Sequence, residues 1–218
     1  MSFAERLARV RAEIARACAR AGRDPESVEL VAISKLQSID ACREAVLAGQ
    51  LLLGENYAQE LRDKAREVKG ARWHFVGPLQ RNKVKYVVGV AELIHSVDSL
   101  PLLEAIAERA EKIEVVQRCL IQVNLAGEAQ KSGCAPSELP ALVAAFAARP
   151  QVSCEGLMCI PPAEGDPAPC FTALAALGRA HGLPALSMGM SGDFEAAIAC
   201  GATLVRIGTA LFGARTKL

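Results

Sequence analysis

Two short segments near the C-terminal end of the chain could bind a phosphorylated ligand. They are Leu186–Asp193 and Thr203–Gly213, and each begins as an apolar run, passes through small and hydroxyl-bearing residues, and leads into a helical pattern. Backbone N–H groups at the start of a helix bind phosphate well, whereas a single such junction is also an ordinary helix cap. Two such junctions together indicate a phosphate site more specifically than one junction does. The candidate phosphate-binding residues are Ser191, Gly192, Gly208 and Thr209.

Arg206 lies inside the second apolar run, between Val205 and Ile207. A guanidinium group in an apolar strand needs a partner, because burying a charge alone is costly. The partner is either an acidic residue at another strand end, such as Glu55, or the ligand itself. The residue alone does not discriminate between these two interpretations.

Lys35 follows the apolar run Val31–Ser34 and therefore stands at the end of a predicted strand. Partial burial lowers the pKa of a lysine and makes its amine a nucleophile that forms a Schiff base with an aldehyde. The ordinary alternative is a surface lysine whose stem covers apolar residues. Lys35 is the outlier among the lysines, because the others fall in helical or terminal polar patterns: Lys64, Lys69, Lys83, Lys85, Lys112, Lys131 and Lys217.

Two further polar residues follow or end apolar runs, and each has an ordinary structural interpretation. His74 lies in the segment Trp73–Gly77 and could be a core histidine whose hydrogen bonds are satisfied. Asn56 lies between Glu55 and Tyr57 and could simply cap the helix that follows.

The elements that must position these residues alternate strictly between strands and helices. Strands joined by helical crossovers are parallel, and eight such units fit a (β/α)8 barrel, with a doubly wound open sheet as the alternative. The candidate strands are Val28–Ser34, Leu51–Gly54, Arg72–Val76, Glu92–Val97, Arg118–Asn124, Val152–Ile160, Leu183–Ser187 and Thr203–Ile207. In such a barrel the C-terminal ends of the strands form one rim, so the candidate residues are predicted to meet there.

Helical patterns fill the intervals, and an extra helix precedes the barrel. The intervening helices are predicted over Ile39–Ala48, Tyr57–Val68, Asn82–Val88, Leu100–Lys112, Ser137–Ala148, Pro169–His181 and Phe194–Cys200. The N-terminal helix spans residues 1–22, with Ser2 and Glu5 as a capping box and Gly22 as its end. The sequence has no linker, so we predict a single domain over 1–218, with the barrel over 28–213.

Composition excludes several classes of protein. The 218 residues carry a net charge of +1, which gives no electrostatic case for binding nucleic acid or an anionic membrane. No apolar run is long enough to span a membrane and no secretory signal is present, so a cytoplasmic location is expected. The eight cysteines form no C-x-x-C pair and the three histidines have no metal-ligand spacing, so we expect reduced structural thiols and no metal.

The motifs around these residues resemble the family of pyridoxal phosphate homeostasis proteins, which are similar in turn to the barrel domain of alanine racemase. The resemblance runs in order along nearly the whole barrel and is specific. The matching stretches are Val31–Lys35, Gly54–Glu60, Trp73–Lys83, Gly156–Met158, Leu186–Asp193 and Val205–Gly208.

The resemblance implies pyridoxal 5'-phosphate as cofactor, held as a Schiff base on Lys35. It implies that Arg206 faces the pyridine nitrogen and that Asn56 lies near the lysine and the ring hydroxyl. It further implies a phosphate site formed by Ser191, Gly208 and Thr209, and a pocket lined by His74, Met188 and Met190.

Arg206 favours a carrier over an enzyme. An acid at the pyridine nitrogen would keep it protonated and make the ring a strong electron sink, whereas an arginine disfavours that protonation. Alanine racemases also use a tyrosine from a second domain, which we do not expect in a chain that ends at Leu218. Tyr57 and Tyr86 fall in helical patterns and are no obvious substitutes.

We therefore predict a non-catalytic protein that holds pyridoxal phosphate and acts in its homeostasis. A racemase of low activity is the alternative, and an aldolase using Lys35 on a phosphorylated sugar is a third class that lacks an evident acid/base pair. Apo-forms of pyridoxal-phosphate enzymes are candidate partners, and a monomer is expected.

Overall fold

The computed structural model describes residues 1–128 and 132–213, and the predictions for Lys131 and Lys217 lie outside them. The chain begins with helix α1, Phe3–Arg20, which carries the predicted capping box: Ser2 accepts a hydrogen bond from the Glu5 backbone, and the Glu5 side chain accepts one from the Ser2 backbone. One face of α1 is buried, at Phe3, Leu7, Val10, Ile14, Ala17 and Cys18. The extra N-terminal helix is therefore confirmed.

Eight parallel strands close into a barrel in sequence order, with the last strand paired to the first. They are β1 (Glu29–Ile33), β2 (Leu52–Glu55), β3 (Arg72–Phe75), β4 (Leu93–Val97), β5 (Gln117–Gln122), β6 (Val152–Met158), β7 (Ala185–Ser187) and β8 (Leu204–Ile207). This closure confirms the (β/α)8 barrel and rules out the open sheet.

Helices surround the barrel. After α1 they are α2 (Ile39–Leu47), α3 (Ala58–Glu67), α4 (Leu100–Lys112), α5 (Leu139–Ala147), α6 (Ala168–Ala180), α7 (Phe194–Ala199) and α8 (Thr209–Phe212). The helix expected over Asn82–Val88 is instead a 3-10 helix over Arg81–Tyr86. The three-residue period of a 3-10 helix places Val84 and the following Val87 on one side, where both are buried.

Apolar side chains form an outer core between the barrel and its helices and a smaller one inside the barrel. The inner core consists of Val31, Leu52, Leu93, Leu120, Met158 and Leu204. A side chain at Gly156 could not fit, since its Cβ would lie 1.8 Å from the carbonyl oxygen of Ala185. Gly156 therefore allows β6 and β7 to approach closely.

Charged residues cover the N-terminal end of the barrel, which we call the base. Arg72 contacts Glu92 at 2.7 Å and Glu29 at 3.4 Å. Arg118 contacts Glu92 at 2.8 Å and Glu155 at 2.5 Å. These five side chains form one chain of alternating charge, with Glu29 in β1, Arg72 in β3, Glu92 directly before β4, Arg118 in β5 and Glu155 in β6. None of the helices in the described ranges has both the length and the apolar character that a membrane span requires.

Candidate functional site

A cavity of about 260 Å³ opens at the C-terminal end of the barrel, between the segments that follow β1, β7 and β8. We call it the mouth cavity. Five of the eight predicted site residues line it: Lys35, Ser191, Arg206, Gly208 and Thr209. Met190 and Gly192 line it as well. Residues up to about 170 positions apart in the sequence thus meet at one rim, because parallel strands all end there.

The backbone on both sides of Lys35 is held by hydrogen bonds. On one side, the Ser34 N–H donates to the carbonyl of Gly54 at 2.9 Å. On the other, the Leu36 N–H donates to the Glu60 carboxylate at 2.9 Å. Leu36 has a φ of 60°, a left-handed conformation that costs a branched residue on the order of 1 kcal/mol. This strained turn fixes where the chain leaves β1, and Lys35 stands partly buried on the wall of the mouth cavity.

The opposite wall offers backbone hydrogen-bond donors. Within the part of the chain that the structure describes, the N–H groups of Ser191, Gly192 and Gly208 donate no backbone hydrogen bond. Gly208 also lies close to β1, since a Cβ there would stand 3.3 Å from the carbonyl oxygen of Ile33. The site can therefore present unused N–H donors to an anion, with glycine keeping the wall close to the barrel.

Arg206 is only 5% exposed, and both of its hydrogen-bond partners are neutral. It donates to the Ser187 hydroxyl at 2.7 Å and to the Cys159 carbonyl at 3.0 Å. The ion pair with Glu55 considered from the sequence is therefore wrong. Burial lowers the pKa of the Arg206 guanidinium, but an arginine stays charged at any physiological pH. Its positive charge remains without a carboxylate contact among the described residues.

Two buried histidines extend from Arg206 into the barrel. The Ser187 hydroxyl lies 2.8 Å from Nδ1 of His95, and Nε2 of His95 lies 2.9 Å from Nδ1 of His74. Burial lowers the pKa of His74 to about 3 and that of His95 well below its ordinary value, so both rings are neutral at pH 7. A consistent assignment has the serine hydroxyl donating to His95 and the Nε2–H of His95 donating to His74.

The remaining predicted residues do not line the mouth cavity. His74 lies inside the barrel, two hydrogen-bonded side chains away from Arg206. Met188 is fully buried in the outer core, because it follows the inward-facing Ser187 and points the opposite way. Asn56 lines a neighbouring depression with Lys83, among others.

Sequence reasoning missed a buried ion pair behind β2. Lys64 is 5% exposed, and its Nζ lies 2.8 Å from both the Glu55 and the Glu60 carboxylates. It also donates to the carbonyl of Ser34, directly before Lys35. Placing Lys64 among ordinary polar helical lysines was therefore wrong. The sequence feature that could have shown Lys64 to be buried is its spacing in α3, three residues after the buried Leu61 and four before the buried Val68.

The two lysines near Ser34 are chemically distinct. Although burial alone would lower it, the two glutamates raise the pKa of Lys64. Lys64 is thus a protonated structural cation and not a nucleophile. Lys35 lines the mouth cavity, where a carbonyl compound could reach its amine.

Comparison with known proteins agrees with this geometry. Residues 6–216 match the alanine racemase N-terminal domain. The pyridoxal phosphate homeostasis protein of Pseudomonas aeruginosa is 46% identical over 98% of this chain and 96% of that protein. The structure of PipY from Synechococcus elongatus with pyridoxal phosphate bound has a TM-score of 0.82 and 36% identity, covering 97% of this chain and all of that one.

The structure is also similar, more distantly, to that of an enzyme. The alanine racemase of Streptomyces coelicolor has a TM-score of 0.70 at 21% identity, and its match covers 94% of this chain but 58% of that one. At this identity the likeness concerns the barrel alone. The chain belongs to the family of pyridoxal phosphate homeostasis proteins, built on the fold of the alanine racemase N-terminal domain.

Proposed function

We propose that this chain binds pyridoxal 5'-phosphate as a Schiff base on Lys35 and serves in its homeostasis, holding the cofactor and delivering it to other proteins. The observation that carries the proposal is the convergence of Lys35, Arg206 and unused backbone donors in one cavity. Relatives over the full chain length are named for this role, and PipY has been solved with the cofactor bound.

The residues of the mouth cavity fit the three functional parts of the cofactor. The phosphate would accept hydrogen bonds from the N–H groups of Ser191, Gly192 and Gly208 and from the Thr209 hydroxyl. The aldehyde would react with the amine of Lys35. The pyridine nitrogen is a neutral acceptor, and it would face the guanidinium of Arg206, which can only donate.

Arg206 supports a carrier more than a catalyst. When bound, pyridoxal phosphate supplies an electron sink whose strength depends on protonation of its ring nitrogen. A permanent cation held by two neutral groups opposes that protonation, and the neutral histidines behind it bring no negative charge. The cofactor in this site is therefore a weak stabiliser of negative charge on a bound amino acid.

The mouth cavity also lacks a second base opposite Lys35 among the residues described. Tyr57 lines the neighbouring depression, and Tyr86 lies on the outer wall of the barrel. A racemase needs acid/base groups on both faces of its substrate, so this arrangement supports a role without racemisation. A monomeric state, a cytoplasmic location and apo-enzymes as recipients stay predictions.

The test is the absorbance spectrum of the purified protein, followed by borohydride reduction and peptide mapping. We expect a Schiff-base absorption band, and we expect the reduced cofactor on Lys35. Lys35→Ala should abolish the band, and Lys112→Ala, an exposed lysine of α4, should leave it unchanged. Absence of the band after cofactor addition, or labelling of a different lysine, would overturn the proposal.

The carrier role is tested separately from cofactor binding. We expect the loaded protein to activate an apo-form of a pyridoxal-phosphate enzyme, without exchanging the α-proton of alanine in deuterated water. Exchange that disappears in Lys35→Ala would instead assign a weak racemase.

A further inference from the structure

We propose that a groove on the outer wall of the barrel is a second ligand site, for a phosphate monoester carried on a planar ring. The groove has a volume of about 880 Å³ and lies between α3, the 3-10 helix and α4. It shares no lining residue with the mouth cavity. We call it the basic groove and define it by Arg62, Arg66, Lys69, Trp73, Lys85 and Arg109.

The first observation is an unbalanced charge. Five basic residues line the groove and no acidic residue does. Arg62 is paired with Asp63, at 2.7 Å. Within residues 1–128 and 132–213, the other four cations of the groove form no salt bridge. Like charges gathered in a concavity repel each other, so a bound anion would lower the energy of the groove.

The second observation is a buried donor without an acceptor. The Nε atom of Arg109 is buried, and it has no hydrogen-bond partner among the described residues. An arginine N–H removed from water and left unpaired is costly. Because this Nε is closed to solvent, the Arg109 guanidinium would have to turn toward the groove for a phosphate to accept from two of its N–H groups. Arg109 projects from α4 on one side of the groove, while Arg66 and Lys69 come from the α3 side. A phosphate between them would be contacted from both sides.

The third observation is the aromatic and apolar character of the groove. Trp73 and Tyr86 line it together with the apolar side chains of Val68, Val88 and Ile113. The Tyr86 ring attracts cations, with the Arg62 guanidinium carbon at 4.9 Å and Lys85 Nζ at 5.1 Å from its centre. Trp73, Val68 and Val88 are almost fully buried beneath the groove, so inorganic phosphate would leave the partly exposed Tyr86 and Ile113 uncovered. A ligand that combines phosphate with a planar ring would use both halves of the groove.

Two sources share this chemistry, a nucleoside monophosphate and a second molecule of pyridoxal phosphate. Neither depends on the proposed reaction at Lys35, because the groove lies outside the mouth cavity. Trp73 is the single tryptophan of the chain, so its fluorescence reports on the groove directly.

The experiment uses the holoprotein reduced with borohydride, so that the site at Lys35 is permanently filled. Trp73 emission is titrated with AMP and with inorganic phosphate, and a second equivalent of pyridoxal phosphate is measured by equilibrium dialysis. We expect saturable binding of AMP or of the second cofactor molecule, about tenfold tighter than binding of inorganic phosphate. Arg109→Gln should weaken that binding by about tenfold or more, because it removes a charge-assisted contact.

Arg16→Gln, on an exposed position of α1, is the matched control and should bind as the wild type does. If Arg109→Gln does not fold, the exposed lysines Lys69 and Lys85 are each changed to glutamine, with weaker binding again expected. The proposal is overturned if neither ring phosphate binds saturably at millimolar concentration, or if the groove variants bind them unchanged. Equal affinity for inorganic phosphate would overturn the requirement for a ring. Persistence of groove binding in Lys35→Ala would separate this site from the one in the mouth cavity.

Discussion

Arg72 and Arg118 at the base of the barrel lie against carboxylates, whereas Arg206 at its mouth contacts only neutral groups. Each base arginine contacts two glutamates, and Glu92 lies between them. Hydrogen bonding to Arg72 lowers the pKa of Glu92 to about 2 and raises the pKa of Arg72 itself. Burial, in contrast, lowers the pKa of Arg206.

The difference shows how one fold separates stability from binding. At the base, opposite charges neutralise each other while half-exposed, so the ends of the strands are covered at little desolvation cost. At the mouth, a buried positive charge is held by a hydroxyl and a carbonyl, which orient it without neutralising it. Such a charge lowers stability slightly and remains available to an acceptor on a ligand.

The largest expected effect concerns the neutral histidines behind Arg206. An unfolded histidine gains its proton near pH 6.5, whereas folded His74 gains it near pH 3. The unfolded state therefore binds more protons between these values, and the free energy of unfolding falls as pH drops through that window. We expect about 1.4 kcal/mol per pH unit for each neutral buried histidine, measured by urea denaturation between pH 7 and pH 4.

His74→Gln should flatten this pH dependence, because it removes one titrating group while keeping a side chain that can form hydrogen bonds. Arg16→Gln, at an exposed position of α1, is the control and should leave the profile unchanged, because neither side chain changes its charge between pH 7 and pH 4. An equal slope in wild type and His74→Gln would show that His74 is not held neutral in the folded chain.

The next effect separates binding from stability at Arg206. We expect Arg206→Met to weaken pyridoxal phosphate binding by about tenfold or more, since a donor to the ring nitrogen is lost. The same change should cost the cofactor-free protein little stability, because it removes the desolvation cost of a buried charge without a counter-ion together with the hydrogen bonds to Ser187 and Cys159. Cofactor titration and urea denaturation measure the two quantities.

A structural role for Arg206 predicts the reverse result. In that case Arg206→Met would lose stability while its cofactor affinity stayed at the wild-type value. That outcome would make the mouth arginine resemble those at the base and would remove the difference between the two ends.

The smallest effect is expected at the base. Arg118→Gln removes the contacts with Glu92 and Glu155, but Arg118 is 44% exposed. The loss of stability should therefore be about 0.5–1 kcal/mol. It should be smaller in 1 M NaCl, because the Debye length there is about 3 Å and surface charges are screened. Cofactor binding should not change. A loss of cofactor affinity in this variant would show that the two ends are coupled.

Acid should affect the base in a lower pH window than the mouth. The pKa of Glu92 is lowered to about 2 in the folded chain, against about 4.3 for an unpaired glutamate. Its contribution to stability is complete above the unfolded value and is lost as pH falls toward 2. We expect Glu92→Gln to be less stable than wild type at pH 6 and closer to it at pH 3, as measured by urea denaturation.

Much of the fold could be predicted because its signals are local. Alternating apolar runs and helical patterns placed eight strands near their observed positions, and the Ser2–Glu5 capping box marked the start of α1. The 3-10 helix over Arg81–Tyr86 was missed, since the spacing of Val84 and Val87 fits a three-residue period only once their burial is known.

The candidate site, too, could be predicted only in part. Parallel strands end on one rim, so the positions of Lys35, Ser191 and Gly208 in the sequence were enough to predict that they meet. Side-chain direction was not predictable at Met188, which faces the outer core, or at His74, which lies inside the barrel.

The sequence by itself determined the barrel and the line of polar residues along its mouth, because strand order and chain direction dictate which ends meet. Only the tertiary structure decided which charges find a partner. Lys64 reaches Glu55 from a neighbouring helix, and Arg206 finds a hydroxyl and a carbonyl from other strands. Such contacts join side chains from different strands and helices, and their energy depends on burial and geometry that no local pattern encodes.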